Sequence, residues 1–233
     1  MVSTMAKHKP MLTFGTVPDL DMFSKYMDGA WEKQPLLAKV GYAVLDRDSF
    51  TCRHCGFKSR SASKQGIRHG WMYPVCLKHS GYLPVDANHS ITLCAFCLSY
   101  QALNWATSTS FVGGQETVAP GFFIGLEQRS QAELNRLALY VVSVISSASI
   151  GSSKGGEEGA AMAIDNAMKA RQSTLHDSMP LYMPGFDFSF ARGLSLLHEE
   201  LYSRRSEVIP SLRWWPNVQY WEKQGFFWRK ASY

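Results

Sequence analysis

Nowhere among its 233 residues does the chain approach the roughly 18 uninterrupted apolar positions that a membrane-crossing helix needs, so no direct membrane span is expected. Its first residues lack the charged-then-apolar pattern of a secretory signal. The expectation is therefore a cytoplasmic chain whose thiols stay reduced. No internal repeat is apparent. No C-x-x-C opens a helix within a βαβ unit, which argues against a thioredoxin-like redox motif. Between Ser49 and Val85 there is neither Asp nor Glu, and the whole chain holds five cysteines. Apolar residues, by contrast, make up 45% and aromatics 13%, a composition that packs around a core.

Four of the five cysteines form two C-x-x-C pairs, Cys52-Arg53-His54-Cys55 and Cys94-Ala95-Phe96-Cys97. With two residues between them, one tight turn aims both sulfurs at a single ion, and two such turns supply the four thiolates of a tetrahedral, structural Zn2+ site. Gly56 directly follows the first pair, where a knuckle folding back over a metal needs positive φ. The alternative is four buried thiols or two disulfides, which a reducing compartment disfavours. Cys76, between the pairs, is either a free core thiol or an alternative ligand.

The formal charge of +5 is uneven. The stretch without acids carries Arg53, Lys58, Arg60, Lys64, Arg68 and Lys78, together with His54, His69 and His79. Those six cations exceed the whole net charge, so the remainder of the chain is close to neutral. Such a patch suits an acidic partner, either a nucleic-acid backbone met by the Arg53–Lys78 stretch or an acidic protein segment. A solvated loop with no partner is the plainer alternative.

The coarse pattern along the chain is α+β. Residues 1–10 read as a leader, Met11–Val17 as a short strand and 19–31 as a short helix. Pro35 suits a helical first turn, and Leu36, Leu37, Val40, Val44 and Leu45 recur at helical spacing up to Asp46-Arg47-Asp48. Ser49–Thr51 enters the first knuckle as a strand and Phe57-Lys58 leaves it. Residues 59–70 read as a loop. Trp71–Leu77 reads as a strand, with Pro74 at an edge or a bend. Ile91–Leu93 leads to the second pair, and Phe96, Leu98, Ala102, Leu103 and Trp105 suit one following helix. A strand pair carrying one cysteine pair and a helix carrying the other make a ββα-metal arrangement. Residues 107–121 form a polar loop and Phe122–Leu126 a strand. Ser130-x-x-Glu133 is a capping box for a helix at 131–146. The Ser/Gly-rich 146–159 reads as a hinge, followed by helices at 158–172 and at Phe188–Glu207, with Pro180 and Pro184 between them. The tail interleaves Trp214, Trp215, Tyr220, Trp221, Phe226, Phe227 and Trp228 with basic residues. It can stack on bases, anchor a protein interface or dock into the chain's own core.

Leu45-Asp-Arg-Asp-Ser-Phe-Thr-Cys-Arg-His-Cys-Gly-Phe57, with Asn88 and Leu93-Cys94-x-x-Cys97 later, resembles an HNH-type ββα-metal module. The chain more closely resembles the DotN (IcmJ) family of type IVB (Dot/Icm) secretion systems, over roughly residues 36–200. The motifs are Thr51-Cys-x-x-Cys-Gly-Phe57, Cys94-x-Phe-Cys97 and Ser130-Gln-Ala-Glu-Leu-Asn135. This resemblance implies a non-catalytic zinc protein of the coupling complex. It would bind a segment of the membrane-anchored, DotL-like coupling ATPase on the cytoplasmic side, peripheral to the inner membrane. The organisation expected is an N-terminal extension at 1–35 and an HNH-like zinc module at 36–106. A loop and the first helix of a mainly helical C-terminal half follow at 107–146, then a helical region with the aromatic tail at 147–233. Metal ligands are Cys52, Cys55, Cys94 and Cys97, and no catalytic residue is expected. A nuclease would need a general-base His and a divalent ion held by further ligands. His79 and Asn88 stand near those places, but Leu98 follows Cys97, and Asp86 and His89 are the nearest further ligands. An HNH-type endonuclease and a zinc-dependent nucleic-acid-binding protein are the alternatives.

Overall fold

A computed structural model describes residues 12–59, 69–76, 82–109, 111–112, 115–148, 155–178 and 186–231. Helix α1 (Leu20–Met27) starts where the Asp19 carboxylate accepts the Met22 N–H at 2.9 Å, satisfying one of the amides that a helix start leaves without a partner. A 3₁₀ turn, Ala30–Lys33, carries Trp31 inward. Helix α2 (Pro35–Arg47) begins on its proline and ends at Asp48. Gly41 on α2 is needed for close approach, because a Cβ there would lie 2.5 Å from the Trp31 ring. The chain then turns sharply, with positive φ at Ser49 and Phe50.

Strand β1 (Met72–Cys76) pairs antiparallel with β2 (Ser90–Cys94), so that Met72 faces Cys94 and Cys76 faces Ser90. Pro74 sits mid-strand opposite Thr92. It is tolerated because both strands of a two-stranded ribbon are edges. Helix α3 (Ala95–Tyr100) follows β2 without a linker, and α4 (Leu103–Ala106) comes after a break. The single helix expected over Phe96–Trp105 is thus two. At the break, the Gly15 N–H donates to the Tyr100 carbonyl and the Leu103 N–H to the Gly15 carbonyl. The Asn104 amide also brackets Val17, accepting its N–H at 2.9 Å and donating to its carbonyl at 2.8 Å. Residues 12–17 are accordingly a strap, without the strand expected at Met11–Val17 among them; Met11 lies outside the described residues.

After a short hairpin, β3 (Phe111–Val112) and β4 (Gln115–Glu116), strand β5 (Gly121–Gly125) pairs antiparallel with β6 (Leu212–Pro216). Helix α5 (Gln131–Ala148) begins at the expected capping box: Glu133 accepts the Ser130 N–H at 2.9 Å, and Ser130 Oγ accepts the Glu133 N–H at 3.3 Å. Helix α6 (Gly155–Ser178) takes up part of the stretch read as a hinge; 149–154 lie outside the described residues, as do Pro180 and Pro184. The helix expected over Phe188–Glu207 is three pieces, α7 (Asp187–Ser195), α8 (Glu199–Ser203) and α9 (Arg205–Val208). The apolar side expected along it is Leu194, Leu197 and Leu201; Leu194 is buried, but Leu197 and Leu201 are exposed, so that side does not meet the core along its length. Helix α10 (Glu222–Ala231) packs on α5.

The aromatic tail turns inward. Trp214, Trp215, Trp221 and Trp228 are all at most 1% exposed. Phe96, on the first turn of α3, meets Trp214, Trp221 and Trp228 edge-on, with ring centroids 5.8, 5.2 and 5.3 Å away. Buried apolar residues from Phe14 to Trp228 join in one cluster. Among the described residues, no helix is long and apolar enough to cross a membrane.

Candidate metal centre

The first cysteine pair lies in a turn closed by a bridge between Thr51 and Lys58. The Cys52 N–H donates to the Phe57 carbonyl at 2.7 Å and the Gly56 N–H to the Cys52 carbonyl at 2.9 Å. Gly56 has φ +83°, as a chain folding back over its own sulfurs requires. The knuckle is tied to β2 by the Arg53 N–H, which reaches the Thr92 carbonyl at 2.8 Å. Cys94 ends β2 and Cys97 sits in the first turn of α3, so the β1–β2–α3 order delivers the second pair. The strands beside the first pair, expected over Ser49–Thr51 and Phe57-Lys58, shrink to that one bridge.

The four sulfurs converge: no two are more than 4.8 Å apart, and Cys55 Sγ lies 3.7 Å from Cys94 Sγ. A tetrahedron of sulfurs each about 2.3 Å from a zinc ion has an edge of about 3.8 Å, so the donor set fits such an ion. All five cysteines are free thiols, and none of the four cluster residues is more than 1% exposed. The separation is far from the roughly 2.05 Å of a disulfide. Cys76 faces Ser90 at the opposite end of the ladder from Cys94. Four residues of strand put it about 13 Å away, and it is a core thiol outside the cluster.

Electrostatics at the cluster also suit a cation. Burial, reinforced by hydrogen bonds to the neighbouring sulfurs, pushes the Cys94 and Cys97 thiols well up. Burial acts in the same direction on Cys52, but hydrogen bonds from Cys55, Cys94 and Cys97 outweigh it and bring that thiol well down. Several thiolates together in this dry pocket would each sit beside another negative charge. A dication removes that obstacle. Four thiolates would fill the shell of a tetrahedral ion held there.

Asp86, Asn88 and His89 lie on the turn before β2, at the far end of that strand from Cys94. Asp86 accepts the Asn88 N–H at 2.8 Å and pairs with the His89 ring. His79 lies outside the described residues, as do Arg60, Lys64, Arg68 and Lys78 of the basic stretch. Of that stretch, Lys58 is exposed and Arg53 half-buried, whereas His54 and His69 belong to the core. His69 packs against Trp31, Trp71 and Tyr73 with centroids 5.6–6.0 Å apart, and burial holds its pKa down at about 4.

Two residues with a claim on the site are not singled out by the cysteine spacing. Asn135 Nδ2 donates to Cys97 Sγ at 3.2 Å, and Gln131 Nε2 donates to Asn135 Oδ1 at 2.8 Å. Their signal in the sequence is a pair of amides four apart on an otherwise apolar helix face. No protein-family model matches the chain, and no curated protein matches it either.

Proposed function

We propose that the protein is a non-catalytic, zinc-binding component of a type IVB coupling protein complex. In this reading it binds a segment of a DotL-like coupling ATPase and supports substrate recruitment for secretion or conjugation. It works at the cytoplasmic face of the inner membrane, held there by the complex and not by a span of its own. The observation that carries the reading is the convergence of four buried sulfurs at metal-ligand separations. The resemblance of the surrounding residues to DotN (IcmJ) proteins supplies the assignment to the complex. Zinc, when bound, would join the knuckle to the β2–α3 corner and do no chemistry. Asp86 and His89 stand too far along β2 to share that ion as a reagent.

The tail's tryptophans are packed inside, so they offer neither a face to a base nor an anchor to a partner protein. A groove of about 870 Å³ between the N-terminal strap and the α7–α8 region presents Leu20, Phe188 and Leu197, apolar anchors of the kind that seat a partner helix or strand. The test is a pull-down of the coupling ATPase, run beside a DNA gel shift at two salt concentrations. Capture that survives high salt supports the reading. DNA retention that collapses with salt, or metal-dependent plasmid nicking lost in His79→Ala, would overturn it.

A further inference from the structure

Four thiolates around a dication carry a net charge of −2, and here that charge would be almost wholly shielded from water. A buried charge of this size needs N–H donors aimed at the sulfurs. One is the Cys55 backbone, whose N–H lies 3.5 Å from Cys52 Sγ. Another comes from helix α5, through a relay of two side-chain amides.

The relay begins at β6. Trp214 stands opposite Phe123 in the β5–β6 ladder, and its peptide groups meet Gln131. The Trp214 N–H donates to Gln131 Oε1 at 3.0 Å, and Gln131 Nε2 donates back to the Trp214 carbonyl at 2.8 Å. A backbone N–H can only donate and a carbonyl can only accept, so the Gln131 amide has one allowed orientation. Its NH2 therefore faces Asn135 Oδ1, at 2.8 Å. That in turn directs the Asn135 NH2 toward Cys97 Sγ, at 3.2 Å. Gln131 is 5% exposed and Asn135 0%, so water does not compete. Reversing either amide would set donor against donor. The polarity of one strand residue is thus carried across α5 to the sulfur, which must act as acceptor. Thiolate is a much better acceptor than thiol.

We propose that Asn135, oriented by Gln131, is a positioning residue of the metal centre. It donates a hydrogen bond to Cys97 Sγ and fastens α5 and β6 to that corner. The Ser130-Gln-Ala-Glu-Leu-Asn135 stretch then serves the interior of this chain. The inference rests on the reading of the four cysteines as metal ligands.

The test uses the full-length protein with zinc, and with cobalt(II) as a spectroscopic substitute. The variants are Asn135→Leu, which keeps the branched skeleton without the amide, and Gln131→Met, which leaves Asn135 in place but frees its orientation. Outer partners of metal ligands typically change affinity about 10–100-fold, and Asn135→Leu is expected to weaken zinc binding in that range. Its sulfur-to-cobalt charge-transfer band should move to longer wavelength, because a sulfur lone pair without its hydrogen bond gives up an electron more easily. Gln131→Met should shift the band the same way by less. A mere packing defect would leave the band in place. If Asn135→Leu does not fold, the band in Gln131→Met decides alone. Wild-type protein that folds without binding either metal would remove the metal reading itself. Wild-type protein that binds metal, with variants of unchanged affinity and band position, would overturn only the relay.

Discussion

Substituting Phe96 should uncouple the C-terminal aromatic segment from the cysteine corner. Its ring is fully buried one residue before Cys97, and its edges meet three tryptophans that come from β6, α10 and the turn between them. Phe→Ala in a core costs about 3–5 kcal/mol. Each aromatic edge contact is worth about 0.5–1.5 kcal/mol beyond area burial, and these overlap with the first figure more than they add to it. An expected loss of about 4 kcal/mol is a large part of the 5–15 kcal/mol that holds a typical domain folded. In a chain of this length it corresponds to a fall in Tm of about 8–16 °C. Phe96→Leu keeps most of the apolar volume and forfeits the ring edges, so it should cost about 1–2 kcal/mol. Thermal unfolding followed by near-ultraviolet circular dichroism reads both, since the tryptophans report their own packing. A melting point within 2 °C of wild type for Phe96→Ala, or equal losses for Ala and Leu, would refute the reasoning.

Three further expectations follow from other parts of the molecule. Cys52→Ser should abolish zinc binding and unfold residues 46–105, because metal-linked folding of such a module is worth on the order of 10 kcal/mol; elemental analysis with far-ultraviolet circular dichroism checks it, and a folded, zinc-loaded variant contradicts it. His69 is held neutral, with its pKa at about 4 against an ordinary 6.5, so above pH 6.5 it adds no pH dependence. As pH falls from 6.5 to 4 the unfolded chain takes up a proton that the folded chain refuses, removing up to about 3 kcal/mol; urea midpoints at pH 7.5 and 5 should drop more in wild type than in His69→Gln. In Gly225→Ala the new Cβ would lie 2.8 Å from the Val142 backbone carbonyl and 2.4 Å from Ser146 Oγ. The clash should outweigh the helix-propensity gain of up to about 1 kcal/mol and destabilise by about 1–3 kcal/mol, seen as a lower Tm.

Local rules made some elements legible in the sequence. Pro35 and the spacing of Val44 and Leu45 mark α2, the Ser130–Glu133 box marks the start of α5, and the cysteine spacing identifies the cluster before any contact is known. Other features depend on distant partners. Phe96 to Trp105 has helical spacing, but the chain breaks at Gln101–Ala102, where Gly15 of the N-terminal strap takes and gives backbone hydrogen bonds. The tail has the composition of a nucleic-acid or protein contact surface, and which way its rings face is decided by Phe96 and α5, far away in sequence. On α5 the apolar stripe Leu134, Leu137, Val141 and Ile145 is offset from the face that is buried. Gln131, Asn135, Ala138 and Val142 are fully covered while Leu137 and Ile145 are partly exposed. A polarity-based reading assigns two amides to solvent, and here they are satisfied by a strand and a sulfur.

The packing of Trp214, Trp221 and Trp228 over Phe96 has a consequence during synthesis. At about 5–20 residues per second, the roughly 130 residues separating Cys97 from Trp228 take on the order of ten seconds to emerge. Throughout that interval all four thiols have left the ribosome while Trp228, the last of the rings that pack on Phe96, has not. An ion that bound the nascent chain would therefore meet an open site, one that closes only once Trp228 has packed on Phe96.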